Sequence, residues 1–410
     1  MSVLESSLLH HSGDRGSMKA TLWQVGTTVA RYALELLRNS LSARCHAVRI
    51  GGTEKHSGAY LSALYLGSGR NFEFLLNRLF TGADVAETKS VTSALSGLAL
   101  CRRAPANADL VIIDLDLPYS LLYSRSAQLQ VPQWVKQKLI LPPSKETFLA
   151  SLPRKLRREI ARCTRKYGYS YDLIATAQGF KSFYDEFYAP FIRSRFNSES
   201  VIVDERFFLS QCRRGVLLRL LCAGQPVAGA VLQLGRVQLS SLWVGFSTSE
   251  AAQGGNGASD VLDYFTIEHA FDTGCRTVDF GPTRPLLDDG VFRYKRKWGT
   301  SVHTSKLPTG DIQFRLIRFS TAVTSVMENN FWITRQRGKL TGHLFVDGQT
   351  LDEQVLQEIA SNRAVGIDAI TVKSLCGFNP SITRAVEGWQ GLCLVDLSKS
   401  TNPMHDRSVV

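Results

Sequence analysis

Residues 251–299 read AAQGGNGASDVLDYFTIEHAFDTGCRTVDFGPTRPLLDDGVFRYKRKWG. A glycine-rich turn at 254–257 precedes a segment whose apolar residues recur at helical spacing and which ends at Gly274. The short run at 277–280 then predicts a strand that ends at Gly281. Basic and aromatic residues follow at 292–298, so one stretch holds a glycine turn, a helix, a strand and a basic segment.

The glycine turn in front of a helix predicts a phosphate-binding site. The first backbone N–H groups of a helix have no partner within the helix, and the helix start carries a partial positive charge. Glycine also lets the main chain approach a bulky anion closely. The alternative is an ordinary helix start after a flexible loop, because a single glycine-rich loop is a weak signal. The predicted cofactor-binding residues are Gly255, Asn256, Gly257, Ala258 and Ser259.

Several motifs resemble the second half of a GNAT-type acyltransferase domain. They are the glycine-led helix start at 255–259, the turn Asp279-Phe280-Gly281 and the aromatic-lysine segment from Tyr294 to Gly299. An upstream segment at 149–160 resembles the opening helix of the same domain. The resemblance covers residues 138–306 and is to the branch that groups FemAB-like peptidoglycan transferases with CelD-like acetyltransferases linked to polysaccharides.

The resemblance implies a fold of the α/β (α+β) class, with a GNAT-like mixed sheet flanked by helices. It further implies two GNAT-like halves followed by a small C-terminal α/β appendage. The length of 410 residues allows two or three domains of about 150 residues each. The predicted domains are a disordered tail at 1–17, a degenerate GNAT-like domain at 18–137, an acyltransferase domain at 138–310, a helical connector at 311–338 and the appendage at 339–410.

By the same resemblance, the protein moves an acyl group to an amino or hydroxyl group of a sugar, polysaccharide or cell-wall precursor. The implied donor is acyl-CoA, with acetyl-CoA as the first candidate, and no metal is required. Ala252 stands where the GNAT donor loop usually has Gln or Arg, so a second donor, aminoacyl-tRNA, stays open. A third hypothesis is a non-catalytic module that binds anionic glycans or nucleic acid.

The resemblance also assigns roles to side chains near the cleft. Lys295 would stabilise a developing oxyanion or bind phosphate, and Asp279 would act as a general base or orient the acceptor. Arg284 would clamp an acceptor carboxylate or phosphate, and Tyr294 and Arg158 complete the predicted substrate-binding set. The alternatives are a turn-forming role for Asp279 and a solvated helix surface for Lys295.

Outside this stretch, the apolar pattern predicts three longer helices. They cover 21–43, 149–167 and 312–335. The helix at 149–167 carries seven Arg or Lys residues on its polar face, which is either a solvated surface or a surface for phosphate groups.

The composition limits the classes of partner and compartment. The net charge is +12; residues 341–410 hold eight acidic and five basic residues, a net of −3, so residues 1–340 carry +15. The excess of positive charge in residues 1–340 favours anionic partners such as nucleotides, lipid-linked phosphates or membrane headgroups. Eight single cysteines without metal-ligand spacing indicate reduced thiols. We therefore expect a cytoplasmic protein with a further option of peripheral association at the inner face of the membrane.

Overall fold

The computed structural model describes most of the chain between residues 45 and 397. The described residues are 45–91, 93–102, 108–116, 119–123, 127, 129–196, 202–247, 257–305, 310–336, 338–361, 363–374, 376–386 and 389–397. The predicted tail at 1–17, the predicted helix at 21–43 and the glycines at 254–255 lie outside these ranges. All eight cysteines are free thiols, as the sequence predicted.

The N-terminal region forms a mixed sheet with helices beside it. In chain order its elements are β1 (Cys45–Glu54), β2 (Tyr60–Gly67), α1 (Phe72–Leu79), β3 (Phe80–Val91), α2 (Ala94–Arg102), β4 (Leu110–Asp114), α3 (Tyr119–Tyr123) and β5 (Leu129–Pro132). Strands β2 and β4 are parallel, whereas β1 pairs antiparallel with both β2 and β3. The predicted strand at 108–115 is β4, and all five of its residues are buried.

The central region forms the largest sheet, in the order β12-β6-β11-β10-β9-β8-β7. In chain order its elements are β6 (Val135–Ile140), α4 (Lys145–Ser151), α5 (Arg154–Tyr167), β7 (Tyr169–Ile174), α6 (Ala177–Phe183), a π-helical segment (Tyr184–Tyr188), α7 (Ala189–Phe196), α8 (Glu205–Cys212), β8 (Gly215–Cys222), β9 (Gln225–Leu234), β10 (Gln238–Phe246), α9 (Ala258–Asp272), β11 (Thr277–Thr283), α10 (Gly290–Arg296) and β12 (Ser301–Thr304). Strands β10 and β11 are parallel, and α9 connects them.

The remaining chain returns to the first sheet before it forms a third. Its elements are β13 (Asp311–Leu316), α11 (Thr321–Glu328), β14 (Trp332–Gln336), β15 (Lys339–Phe345), α12 (Glu353–Ser361), β16 (Ala369–Ser374), α13 (Pro380–Ala385) and β17 (Leu392–Asp396). Strand β13 lies between β4 and β5, and β14 to β17 form a sheet in sequential order. The fold is therefore α/β with mixed sheets flanked by helices, which confirms the predicted class.

Two predicted helices are wrong in extent. The predicted helix at 149–167 divides into α4 and α5, because Pro153 disfavours a helical conformation at the preceding residue and Leu152 is extended. In the predicted helix at 312–335, only α11 is helical. Its first part is β13, in which Ile312, Phe314 and Leu316 alternate along the strand and are buried.

Helices α5 and α9 pack together on one face of the central sheet. Their buried residues include Leu156, Ile160, Val261 and Leu262, which join apolar side chains of β8 to β11 in one core. Gly257 precedes α9 with a φ of +67°, and an added Cβ there would lie 2.6 Å from Cys163 Sγ. The start of α9 is thus fixed directly against α5.

Candidate active site

Strands β10 and β11 separate soon after they begin to pair. Their parallel register covers only Gln238–Ser240 and Thr277–Asp279. Beyond it, β10 has an irregular register with β9, and β11 has one with β6 between Asp279 and Pro282. We call the opening between 241–246 and 280–283 the strand gap. Parallel strands that diverge at their carboxyl ends form a crevice where ligands bind in many α/β proteins.

The start of α9 is linked to β11 at the strand gap through the α10 region, since Lys297 pairs with Asp260 and Lys295 donates to the carbonyls of Gly281 and Pro282. Of the predicted donor-binding residues, Gly257, Ala258 and Ser259 are described, and they form the helix start; Gly255 and Asn256 lie outside the described residues. α9 has 15 residues, so its N-terminus carries a substantial partial positive charge. The predicted phosphate site therefore lies at the N-terminus of a long helix.

Lys295 of α10 extends toward β11 at the strand gap. Its Nζ donates to the carbonyl oxygen of Pro282 at 3.0 Å and to that of Gly281 at 3.4 Å. Burial lowers the pKa of the Lys295 ammonium to about 8, although the carboxylates of Asp263, Asp279 and Asp289 act in the opposite direction. A poorly solvated ammonium ion at this place interacts strongly with any negative charge that develops nearby.

Asp263 is a residue of this site that the sequence analysis missed. It lies on the second turn of α9 and is 9% exposed. Burial raises the pKa of its carboxyl to about 6, and Lys297 and Lys295 act against that shift. The available signal was a single acidic residue inside the apolar run Val261-Leu262-Asp263-Tyr264-Phe265. Only the packing of α10 against α9 shows that this carboxyl group faces inward.

Tyr294 connects α10 to the first turns of α9. Its hydroxyl is buried beside Asp263 and Ser259, and burial together with Asp263 and Asp260 raises its pKa well above the usual value. The Lys297 ammonium lies 3.9 Å from the centre of the Tyr294 ring and also pairs with Asp260. Tyr294 therefore lies among the residues that surround Asp263.

Asp279 is buried at the point where β10 and β11 separate. One of its oxygens, Oδ1, accepts from the Gly281 N–H at 2.9 Å. The other, Oδ2, lies 3.4 Å from Lys136 Nζ and 3.9 Å from Lys138 Nζ. Both carboxylate oxygens are thus engaged, and the backbone bond is the turn-forming contact that the sequence left as an alternative role.

The other two predicted substrate residues lie in different surroundings. Arg284 is placed between the rings of Phe74 and Trp134, at 4.0 and 4.1 Å, and donates to Asn71 Oδ1 at 2.6 Å. It therefore links the end of β11 to the start of α1 in the N-terminal region. Arg158 is exposed on the basic face of α5.

The pair Asp263 and Lys295 predicts a specific change in pH dependence. If Lys295 acts as a cation, kcat/KM falls on the alkaline side of the pH profile, as the pH rises through about 8 and Lys295 loses its proton. The Asp263 carboxylate raises the pKa of Lys295, so the substitution Asp263→Asn lowers that pKa and moves the alkaline limb to lower pH. The measurement is kcat/KM against pH.

Asp272→Asn is the matched control for this profile, because Asp272 lies at the far end of α9 and pairs with Lys145. We expect its alkaline limb to coincide with that of the wild type. An unchanged limb in Asp263→Asn would show that the two charges are not coupled.

Residues 150–296 match the model of a family described as "Acetyltransferase (GNAT) domain". The chain therefore contains a GNAT-type acetyltransferase domain at the position of this site. A search of curated proteins found no match.

Three solved structures that resemble the chain are a FemX, a C-terminal domain of a putative lysylphosphatidylglycerol synthetase from Agrobacterium fabrum, and a GCN5-related N-acetyltransferase from Sphaerobacter thermophilus. FemX is 13% identical, with 66% of this chain and 88% of that chain covered and a TM-score of 0.35. The synthetase domain is 12% identical, with 68% of this chain and 88% of that chain covered and a TM-score of 0.31. The N-acetyltransferase is 13% identical, with 63% of this chain and 74% of that chain covered and a TM-score of 0.30.

None of the described helices is long and apolar enough to cross a lipid bilayer. Among the described residues, no group of three or more His, Cys, Asp or Glu side chains is arranged to hold a metal ion.

Proposed function

We propose that this protein is an acyltransferase of the FemAB-like and CelD-like branch. It moves an acyl group from acyl-CoA to an amino or hydroxyl group of a sugar, polysaccharide or cell-wall precursor. The observation that carries the proposal is the position of Lys295, whose ammonium group lies at the strand gap beside the start of α9. Proteins with GNAT-type domains generally use acyl-CoA, and acetyl-CoA is the first donor to test.

The proposed reaction uses the helix start and the strand gap together. The pyrophosphate of the donor binds at the backbone N–H groups of Gly257–Ser259, and the acyl thioester extends toward Lys295. The acceptor nitrogen or oxygen attacks the thioester carbonyl, which forms a new bond and places negative charge on the carbonyl oxygen. Lys295 stabilises that charge. Collapse of the intermediate breaks the carbon–sulfur bond and releases the coenzyme A thiolate, which takes up the proton lost by the acceptor.

Asp279 and Asp263 have different parts in this proposal. Asp279 orients the acceptor, since its carboxylate holds Lys136 and Lys138 in place at the edge of the strand gap. Asp263 is a positioning residue that keeps Lys295 protonated at neutral pH through its negative charge. Holding the reactants in this arrangement converts a bimolecular encounter into an intramolecular step.

Thermal unfolding with and without acetyl-CoA tests the proposed donor. A ligand present at 100 times its dissociation constant stabilises the folded state by about 2.7 kcal/mol, so the melting temperature is expected to rise by several degrees. Adenosine, which lacks the phosphates, is the control and is expected to leave the melting temperature unchanged. Equal melting temperatures with acetyl-CoA, longer acyl-CoAs and buffer alone would contradict the proposed donor.

A second candidate is transfer from aminoacyl-tRNA, and the basic face of α5 favours it. That face exposes a row of cationic side chains, which would suit an RNA backbone. Its exposed members are Arg154, Lys155, Arg157, Arg158, Arg162, Arg165 and Lys166. Binding of tRNA that weakens in Arg158→Ala, together with no response to acyl-CoA, would favour this candidate. The same surface could lie at the inner face of a membrane under either function.

A further inference from the structure

A polar cluster lies on the face of the central sheet opposite α9. The neighbours Leu139, Leu239 and Val278 pack with α9 in the core. Since successive side chains on a strand point to opposite faces, the residues next to them point away from that core. We call these residues the sheet-face cluster: Lys136 and Lys138 of β6, Gln238 of β10, Asp279 of β11, and Ser301 and His303 of β12.

The contacts within the sheet-face cluster hold two lysines above a buried carboxylate. The Asp279 side chain is 4% exposed, whereas the side chains of Lys136 and Lys138 are 32% and 28% exposed. Lys138 Nζ also donates to Gln238 Oε1 at 2.8 Å. The buried Asp279 carboxylate therefore holds the two ammonium groups on their sheet side, and their other side remains accessible to solvent.

The charges in the sheet-face cluster do not balance. Two ammonium ions face one carboxylate, and the second oxygen of that carboxylate accepts from the Gly281 N–H. An ammonium group has three N–H donors; within the described ranges, Lys136 and Lys138 each use one of them in a hydrogen bond, and Lys138 Nζ also lies 3.9 Å from Asp279 Oδ2. Spare donors and a net positive charge thus point into solvent at the edge of the strand gap.

His303 extends the same surface by one strand. The Nε2 atom of His303 lies 2.8 Å from Ser301 Oγ. In the antiparallel pairing of β12 with β6, His303 lies opposite Lys136. Burial lowers the pKa of His303, and the charge of Lys138 lowers it further. The Ser301 hydroxyl also donates to the Lys138 carbonyl oxygen at 3.1 Å, so the imidazole and the hydroxyl are held on β6 and border the two lysines without adding a charge.

We propose that the sheet-face cluster binds an anionic group of the acceptor, a phosphate or a carboxylate, and so holds the acceptor's nucleophile at the strand gap. This inference rests on the proposed acyl transfer and adds the chemical class of its acceptor. Gly281 and Pro282 lie two and three residues after Asp279, and their carbonyls accept from Lys295. One irregular segment of β11 therefore places the anion site and the Lys295 ammonium group next to each other.

Lysine suits this task, because its ammonium group is a compact point charge that binds phosphate without a fixed geometry. The predicted acceptor is a sugar phosphate, a lipid-linked sugar or a sugar acid. A neutral, unmodified sugar would not balance the net positive charge of the sheet-face cluster.

Titration with inorganic phosphate at constant ionic strength tests the anion site. The readout is the NMR signal of the His303 ring, assigned with His303→Gln. We expect a saturable shift in the wild-type protein. In the double variant Lys136→Met and Lys138→Met, the affinity for phosphate should be at least about tenfold weaker. Lys55→Met with Lys339→Met is the matched control, since both side chains are exposed elsewhere on the surface. A shift that does not saturate, or that is equal in both double variants, would overturn the proposal.

Acetyl-CoA binding separates this site from the donor site. We expect the Lys136 and Lys138 double variant to keep its affinity for acetyl-CoA, which also shows that it is folded. A parallel loss of phosphate and acetyl-CoA binding in a folded double variant would assign the lysines to the donor and overturn the acceptor site. If no variant binds acetyl-CoA but phosphate binding still depends on the lysines, the donor proposal fails and the anion site stands.

Glucose 1-phosphate and glucuronate distinguish the two sources of the anion. Displacement of phosphate by the first identifies a phosphorylated acceptor, and displacement by the second identifies a sugar acid. Displacement by neither, at concentrations where phosphate saturates the site, would contradict a sugar acceptor.

Discussion

Replacing Lys295 with alanine is expected to lower kcat by about 10²- to 10³-fold, the usual cost of removing one group that stabilises an oxyanion. The lost group is a poorly solvated ammonium ion that donates to the carbonyls of Gly281 and Pro282. Because it acts on charge that develops during the reaction, the affinity for acetyl-CoA should stay nearly the same. The measurement is release of coenzyme A from acetyl-CoA in the presence of an acceptor.

Arg293→Met is the matched control for this variant. Arg293 is on the same helix and carries the same charge, but its side chain is exposed. We expect it to keep wild-type turnover. Unchanged turnover in a folded Lys295→Ala protein would remove Lys295 from the mechanism, and an equal loss in Arg293→Met would indicate a general effect of positive charge.

Replacing Gly257 with valine is expected to weaken acetyl-CoA binding by about tenfold or more, because the donor phosphates are proposed to bind at backbone N–H groups of this turn. Gly257 has a φ of +67°, and an added Cβ would meet Cys163 Sγ at 2.6 Å. A β-branched side chain can remain there only if the start of α9 moves away from α5. Isothermal titration with acetyl-CoA measures the effect.

Gly274→Val is a control on the same helix. Gly274 follows the other end of α9 with a φ of +70°, and an added Cβ there meets nothing within 4 Å. Both variants should lose about 1–2 kcal/mol of stability from backbone strain, but only Gly257→Val should lose donor affinity. Equal donor affinity in the two variants would show that the turn at 257 is a connector and does not bind the donor.

Much of the central domain could be predicted from the sequence, because its signals are local. Apolar spacing in 258–273 and the glycines at 257 and 274 mark a helix, and 277–280 marks a strand; the structure has both as α9 and β11. The prediction that Lys295 faces the reaction cleft came from the resemblance and not from spacing, because the basic residues of the seven-residue helix α10 point in several directions.

The parts that could not be predicted depend on contacts between distant segments. Lys136 and Asp279 are 143 positions apart and meet only because β6 pairs with β11. Strand β13 joins a sheet whose other strands lie in the N-terminal region, so a local pattern cannot place it. Asp263 has the same explanation: its burial requires Tyr294 of α10 to cover the first turns of α9.

The most direct test of the proposed site is a crystal structure of the protein with bound acetyl-CoA. We predict that the pyrophosphate contacts the backbone N–H groups at the start of α9 and that the thioester carbonyl lies within hydrogen-bonding reach of Lys295 Nζ. Donor density at another surface, or a thioester directed away from Lys295 while the pyrophosphate occupies the helix start, would contradict the proposed mechanism.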